Sequence, residues 1–304
     1  FDPMAVSNSK IGLWLVDGMV HGAGLRGVVT ASQQPPYLLV AGVILLFAAM
    51  SFKVSAAPFH FWTPDVYDGA PSVFTSFMST IVKAAGMLAF IRVFENQYTI
   101  LGPTWHIIVD FAIVSTLLIG NITAVFQQSV KRMLAYSSIA QAGFMLFALY
   151  ASNTEIAKEG ILLYAAAYSL ATISIFAVLI KLHDYTLDGF NGLAKKEPVL
   201  AFAATVSLLS LSGIPLTAGF FAKYYVLAGA LQAGGALWLI IVAVLLAAVS
   251  VYYYFRVIQA MYFKEGDPQT LPISGGFKAA LIAVAALIVL LGIWPSLLLS
   301  WLYF

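Results

Sequence analysis

The sequence predicts an all-α, polytopic membrane protein with about eight transmembrane helices, two of them broken. Of its 304 residues, 62% are hydrophobic and 9% are charged, and the mean hydropathy is +0.94, which excludes an ordinary soluble domain. A spanning helix needs about 20 apolar residues, and the chain offers many such windows. There is no cysteine and the net charge is only +2, so we predict no disulfide, iron–sulfur or thiol chemistry and no nucleic-acid partner.

Eight apolar stretches follow residues 1–36, which are the one long polar stretch and are predicted to form an extracytoplasmic loop. The predicted spans are Tyr37–Trp62, Val73–Phe94, Trp105–Phe126, Met133–Tyr150, Gly160–Leu182, Val199–Gly229, Leu237–Phe263 and Phe277–Leu302. The first and sixth are long and contain an internal proline, Pro58 or Pro215. Proline interrupts a helix, and paired interrupted helices indicate inverted repeats in a transporter. We therefore predict breaks near Pro58 and near Gly213–Thr217.

Three lysines lie well inside predicted spans: Lys53 in the first, Lys83 in the second, and Lys223 just after the break in the sixth. An ammonium group in hydrocarbon costs several kcal/mol, so an intramembrane lysine is a functional-site hypothesis by default. The alternatives are snorkelling, which works near helix ends, and pairing with a hidden carboxylate. Burial favours the neutral amine, so such a lysine can release and regain a proton, whereas arginine cannot.

Other polar side chains inside or beside the spans have two interpretations each. His60 follows Pro58 in the first break and titrates near neutral pH, so a relay role and a structural hydrogen-bonding role have equal weight. Asp110 and His106 are interpreted as interfacial. Hydroxyl groups inside the fourth and fifth spans can hold water or join helices, which leaves proton transfer and helix packing open for Tyr136, Ser137, Ser138, Tyr164 and Tyr168.

The stretch KVSAAPFHFWTPDVYDGAP, Lys53–Pro71, resembles the antiporter-like membrane subunits of respiratory complex I. Three further stretches match that family in the same order: KRMLAYSSI (Lys131–Ile139), SGIPLTAGFFAKYY (Ser212–Tyr225) and YYYFRVIQAMY (Tyr252–Tyr262). The similarity extends from about residue 38 to the C-terminus, and several long motifs in the right order make it specific. The related Mrp-type antiporters usually have Pro-Asp-Ala-His where this chain has Pro-Asp-Val-Tyr, Pro64–Tyr67.

The resemblance implies which residues carry the chemistry. The relay lysines of the family match Lys53, Lys83 and Lys223, and together with His60 they form the candidate catalytic set. The family also has a glutamate two helices before Lys53 that forms an ion pair there, and no residue of this chain supplies it. We therefore expect an N-terminally incomplete chain.

The resemblance also implies a domain organisation of two inverted five-helix repeats followed by a closing helix. On this pattern, residues 37–94 are the last two helices of the first repeat. Residues 105–263 are the complete second repeat, and residues 277–302 are the closing helix.

The function implied by the resemblance is proton translocation across the cell inner membrane, by a subunit of NADH:quinone oxidoreductase. Flavin and iron–sulfur clusters are expected in partner subunits, and no cofactor, metal or quinone site is expected in this chain. The expected partners are other membrane subunits, lipid and protons. Two alternatives stay open: a Mrp-type cation/proton antiporter subunit, which sodium-dependent transport would favour, and a structural membrane scaffold, which would leave three buried lysines unexplained.

The distribution of basic residues predicts the orientation, because cytoplasmic loops carry an excess of Lys and Arg. The loops after the first, third, fifth and seventh spans carry Lys131, Arg132, Lys181, Lys195, Lys196 and Lys264, whereas the other side carries Lys10, Arg26, Arg92 and Lys158. We expect the loops with Lys131 and Lys195 to be cytoplasmic and residues 1–36 to lie on the opposite side. Single cysteines can be introduced without background, since the chain has none. Lys195→Cys and Lys10→Cys should react with an impermeant maleimide from opposite sides of sealed vesicles; reaction from one side would overturn the span count.

Overall fold

The computed structural model describes residues 37–94, 103–150 and 155–300, so the predicted loop at residues 1–36 lies outside the described residues. All the regular secondary structure in these ranges is helical. The helices are α1 Tyr37–Val54, α2 Trp62–Gly69, α3 Ser72–Phe94, α4 Pro103–Val125, α5 Val130–Met145, α6 Glu155–Ile180, α7 Leu193–Lys196, α8 Pro198–Ser212, α9 Ala218–Gln232, α10 Leu237–Phe263, α11 Gly275–Ile293 and α12 Ser296–Leu299.

Six of these helices are long and apolar enough to cross a membrane, namely α1, α3, α4, α6, α10 and α11. The fourth predicted span corresponds to α5, which has 16 residues and continues as one 3₁₀ turn over Leu146–Leu149. The sixth predicted span is divided into α8 and α9, of 15 residues each. The described part of the chain is therefore a helical membrane protein, as predicted.

The first predicted break is present and begins before Pro58. Helix α1 ends at Val54, Ser55 adopts a left-handed conformation with φ 67°, and the Ala57–Pro58 peptide bond is cis. The freed amide of Ala57 donates to Thr116 Oγ1 of α4 at 2.9 Å. Irregular backbone at membrane depth is tolerated where protein groups satisfy it in this way.

The second predicted break is present at the expected residues. Helix α8 ends at Ser212, and Gly213 adopts φ 84°, the left-handed conformation that commonly ends a helix at glycine. Leu216 also has a positive φ of 72°, which is costly for a residue with a side chain. Helix α9 then begins at Ala218, so the chain passes from α8 to α9 through five non-helical residues, 213–217.

Helix α11 covers the first part of the predicted last span, Phe277–Leu302, and ends at Ile293. Trp294 is non-helical, with φ −132° and ψ 71°. Pro295 explains this ending, because the residue before a proline is pushed away from helical conformation. The short helix α12 follows and carries the chain to the end of the described residues.

Helix α6 lies at the centre of the bundle, packed against α3, α8, α9 and α11. Its apolar window is the most buried of the six candidate spans at 61%, whereas that of α1 is the least buried at 22%. Helix α4 packs between α5 and α10. The first described segment, residues 37–94, contacts the later helices where α2 and α3 pack against α5 and α6.

The loops after the first, third, fifth and seventh predicted spans meet at one end of the bundle. Val130 N donates to the carbonyl of Tyr185 at 2.7 Å, and Leu271 N donates to that of Lys181 at 2.9 Å. Lys196 Nζ lies 2.7 Å from Asp267 Oδ1, and this hydrogen bond lowers the pKa of the exposed Asp267 carboxyl. The positively charged loops thus form one surface; its cytoplasmic location stays a prediction.

Helices α8 and α9 approach each other closely at Gly219. A Cβ atom added there would lie 1.8 Å from the Ser210 carbonyl oxygen, and the Gly219 amide donates to Ser210 Oγ at 3.1 Å. We expect Gly219→Ala to cost about 1–3 kcal/mol, because the clash is with backbone that cannot rotate away. Gly42→Ala in α1 is the matched control, since no atom lies within 4 Å of the added Cβ. Thermal unfolding in detergent measures both; equal midpoints would contradict the close packing.

Candidate proton-relay site

The structure buries two of the three intramembrane lysines. Lys83 is 2% exposed and Lys223 is 8% exposed. Neither forms a salt bridge within the described residues. Each ammonium group is instead held by neutral oxygen atoms. Lys83 donates to the backbone carbonyl and hydroxyl groups of Ser138, and Lys223 donates to two carbonyls at the end of α8.

Lys83 follows a π-helical turn in α3, over Met78–Val82. Such turns are rare and are frequent at functional sites. The Lys83 ammonium donates to the carbonyl oxygen of Ser138 in α5 at 2.7 Å and to the Ser138 hydroxyl group. No glycine or proline marks this turn, so it could not be predicted from the residues alone.

Lys223 reaches back from α9 to the end of α8. Its ammonium donates to the carbonyl oxygens of Leu211 at 3.0 Å and Ser212 at 2.9 Å, which belong to the last turn of α8 and lack helical partners. It also lies 4.6 Å from the centre of the Phe144 ring, where a cation–π attraction adds to the hydrogen bonds. Gly213 is required beside it, since an added Cβ would lie 2.9 Å from Lys223 Cδ.

Gln141 of α5 connects four helices beside Lys223. Its amide nitrogen donates to the Leu211 carbonyl at 2.8 Å, the same oxygen that accepts from Lys223, and to Tyr254 Oη at 3.3 Å. Its amide oxygen accepts from the Tyr164 hydroxyl. Tyr254 in turn shares a hydrogen bond with Ser137. The result is a buried polar network that joins α5, α6, α8 and α10.

A small cavity lies between this network and Lys223. Its volume is about 10 Å³, and it is lined by Tyr164, Tyr168, Gln141 and Lys223 among others. That is about the space of one water molecule. Tyr168 is 4% exposed, its hydroxyl group neighbours Ser138 and Thr172, and it forms no hydrogen bond within the described residues. Tyr168 therefore lies between the oxygen atoms that hold Lys83 and the cavity beside Lys223.

Lys53 is placed differently from the other two lysines. It lies in the last turn of α1 and is exposed, and within the described ranges nothing forms a hydrogen bond or ion pair with its ammonium group. Its aliphatic chain passes Gly86 of α3, where an added Cβ would lie 3.7 Å from Lys53 Cγ. Gly86 is one turn from Lys83, so the structure brings the first lysine to the helix that carries the second.

His60 lies half-buried in the first break. Its Nδ1 atom has no hydrogen-bond partner in the described part of the chain, and its ring contacts Phe61 edge-on with centres 6.3 Å apart. The hydrogen bonds of Lys83 and Lys223 do not include it. Asp110 is half-buried in α4, and its Oδ1 atom lacks a partner in the same ranges. The structure thus joins neither residue to the two buried lysines.

The basic pair at the start of α5 holds the turn between α2 and α3. Lys131 is buried and donates to the carbonyls of Asp68 at 2.8 Å and Ala70 at 2.6 Å. Arg132 lies 2.9 Å from Asp65 and 3.6 Å from Asp68. The two carboxylates therefore pair with Arg132 across the two elements.

Gln141 was missed by the sequence analysis. The signal for it is a polar stripe in α5, since Gln141 lies four residues after Ser137 and three after Ser138 on the same helix. Amides and hydroxyl groups on such a stripe must find partners on neighbouring helices. The residues alone do not say which helices those are.

Among the described residues, the helical bundle holds one buried ammonium group beside a π-helical turn and another at a helix break, and neither is in a salt bridge. Buried ionisable residues and broken helices of this kind are typical of proteins that translocate ions. Residues 13–250 match the family model described as NADH:quinone oxidoreductase/Mrp antiporter, transmembrane region. The chain belongs to this family.

Relatives support the same assignment. The chain is 43% identical over 270 residues to NADH-quinone oxidoreductase subunit N of Trichlorobacter lovleyi, covering 86% of this chain and 55% of that protein. It is 42% identical over 278 residues to subunit N of Cytophaga hutchinsonii, covering 89% and 60%. It thus spans little more than half the length of these relatives.

A solved structure has the same fold. A chain of respiratory complex I from Thermus thermophilus, determined with bound aureothin, superimposes with a TM-score of 0.78 at 33% identity. The match covers 98% of this chain and 67% of that one.

The polar network gives a stability prediction for Gln141. We expect Gln141→Leu to destabilise the protein by about 1–3 kcal/mol, because the Tyr164 hydroxyl then lacks its acceptor in a buried site. Gln259→Leu is the control, since Gln259 is exposed and forms no hydrogen bond within the described residues. Thermal unfolding in detergent should separate the two variants by several degrees; equal midpoints would show that the network contributes little.

Proposed function

We propose that this chain translocates protons across the inner membrane as the N-type membrane subunit of an NADH:quinone oxidoreductase. The observation that carries the proposal is the pair of buried ammonium groups, Lys83 and Lys223, each held by neutral oxygen atoms. Such oxygens bind the charged form of lysine without fixing it as a carboxylate would. The 42–43% identity to proteins named subunit N supports the N-type assignment.

The proposed path joins the two lysines through hydroxyl groups. The Lys83 ammonium gives a proton to the Ser138 hydroxyl, to which it is hydrogen-bonded, and Ser138 releases another proton toward the neighbouring Tyr168 hydroxyl. Tyr168 passes a proton through one water in the adjoining cavity to the neutral amine of Lys223. Gln141 has no titratable proton, so it holds Tyr164 and the Leu211 carbonyl in place and carries no proton itself.

Lys53 is the third lysine of the proposed path; it lies on α1, beside the helix that carries Lys83. His60 has no contact with the two buried lysines, and its relay role stays a prediction. The redox chemistry, with flavin and iron–sulfur clusters, belongs to partner subunits, and its energy reaches this chain through conformation and electrostatics. Moving one charge against 100 mV costs about 2.3 kcal/mol, an amount that moderate shifts in lysine proton affinity supply at about 1.4 kcal/mol per pKa unit.

A Mrp-type cation/proton antiporter is the rival within the same family, because the matching family model names both groups. Pro64–Tyr67, Pro-Asp-Val-Tyr, and the names of the most similar relatives favour the oxidoreductase subunit. Sodium-dependent transport would favour the antiporter.

The relay role of Lys223 predicts a difference between two substitutions. In the assembled complex we expect Lys223→Ala and Lys223→Arg to lose proton pumping to a similar degree, because arginine keeps the charge but cannot release a proton. Lys158→Ala, at an exposed position in the first turns of α6, should pump normally, since surface charges contribute about 0–1 kcal/mol. Quenching of a pH-sensitive dye in inverted vesicles measures the pumping.

Assembly must be verified for each variant on a native gel, since alanine can also act through misfolding. If Lys223 only balances buried partial charges, the Lys223→Arg complex will assemble and pump normally. That result would exclude the relay role of this residue.

A further inference from the structure

A second cavity lies at the end of the bundle that carries the positively charged loops, away from the buried lysines. Its volume is about 310 Å³. Polar and charged side chains make up most of its lining, namely Gln128, Thr186, Asp188, Arg256, Gln259 and Lys264, with Leu187. A phosphate group with its attached glycerol fits in this volume, whereas the 10 Å³ cavity beside Lys223 holds no more than a water molecule.

The cavity opens where α4 and α10 end side by side. Tyr253 Oη donates to Asn121 Oδ1 at 3.1 Å, and Arg256 Nη1 donates to the Val125 carbonyl at 2.6 Å. The second contact lies nearer the C-terminus than the first on both helices, since Val125 follows Asn121 and Arg256 follows Tyr253. The two helices are therefore parallel, and both end at this surface. Gln128 lies three residues after the end of α4, and Lys264 follows α10 directly.

The cavity has an excess of positive charge. The bond to Val125 is the only hydrogen bond of Arg256 in the described ranges, and it uses one of five N–H donors. Lys264 forms no hydrogen bond or ion pair there. Asp188 is the one acid in the lining, and its Oδ1 accepts from Asn191 at 3.1 Å. The acids that follow Lys264 are already paired, Glu265 with Lys195 at 3.7 Å and Asp267 with Lys196 at 2.7 Å.

An apolar stripe leads to this charged cavity along the exposed side of the α4–α10 seam. Ile122 on α4 and Phe126 directly after it are exposed, each one residue after a residue that contacts α10. Tyr252 and Phe255 are exposed on α10, each one residue before a residue that contacts α4. Because the two helices are parallel, a residue one position after a contact on the first helix and a residue one position before a contact on the second point to the same side. The four exposed apolar side chains therefore lie on one side of the seam. Gln259 continues the α10 face one turn beyond Phe255, where the surface becomes polar.

We propose that this cavity binds the phosphate headgroup of an anionic membrane phospholipid, with an acyl chain along the stripe. Arg256 and Lys264 hold the phosphate oxygens, since guanidinium groups bind phosphate through paired N–H donors. Basic pockets between helix ends at the cytoplasmic surface bind such headgroups. The apolar stripe, continuous with the cavity, favours a lipid over a soluble phosphate or an acidic segment of a neighbouring protein.

The test uses the purified, delipidated complex that contains the full-length subunit. Phosphatidylglycerol, phosphatidylcholine and inorganic phosphate are titrated separately, and bound lipid is counted by native mass spectrometry. We expect phosphatidylglycerol to bind and Lys264→Gln to weaken it about fivefold, the factor that corresponds to about 1 kcal/mol per basic residue at a membrane surface. Lys195→Gln is the matched control, because Lys195 is exposed at the same end but lies outside the cavity lining.

Three outcomes would overturn the proposal. Equal affinity of the Lys264→Gln variant and the unaltered complex for phosphatidylglycerol would exclude the site. Equal binding of phosphatidylcholine, or displacement of phosphatidylglycerol by millimolar inorganic phosphate, would exclude an anionic lipid as the specific ligand. A Lys264→Cys variant that resists maleimide in the delipidated complex would show that a neighbouring polypeptide covers the cavity.

Discussion

An ammonium group inside a membrane bundle must find oxygen acceptors, and the rest of this structure depends on that constraint. A carbonyl in the interior of a continuous helix already accepts a hydrogen bond from its own helix, whereas the last carbonyls of a helix have no helical partner and are free to accept from a neighbouring lysine. The break after Ser212 releases the last carbonyls of α8, and two of them accept from Lys223. The π-helical turn before Lys83 has a related effect, because it brings this residue to Ser138.

Close backbone packing is the second requirement of this arrangement. Lys223 lies on α9 and its acceptors lie on α8, so the two half-helices must approach closely on both sides of the break. Gly213 supplies the positive φ that turns the chain, and Gly219 leaves room for the carbonyl of Ser210. The lysine, the break and these glycines therefore form one structural unit.

Helix α5 connects the segment 37–94 to the later helices because one stripe of its side chains is polar. Ser138 accepts from Lys83, and Gln141 shares the Leu211 carbonyl with Lys223. At the other end of the same helix, Lys131 and Arg132 hold the turn that follows α2. A change in the position of α5 would therefore alter both lysine sites together.

The sequence by itself determined the fold class, both helix breaks and the three intramembrane lysines. These features have local signals that can be recognised in the sequence alone, namely apolar stretches of about 20 residues, internal prolines and isolated charges. The tertiary structure alone decided the partners. In the structure, Lys83 and Lys223 donate to neutral acceptors, whereas Lys53 is exposed among the described residues. Gln141 joins several helices through hydrogen bonds, and Lys131 is buried. These outcomes depend on which helices pack together, and hydropathy does not encode packing partners because all the spans are similarly apolar.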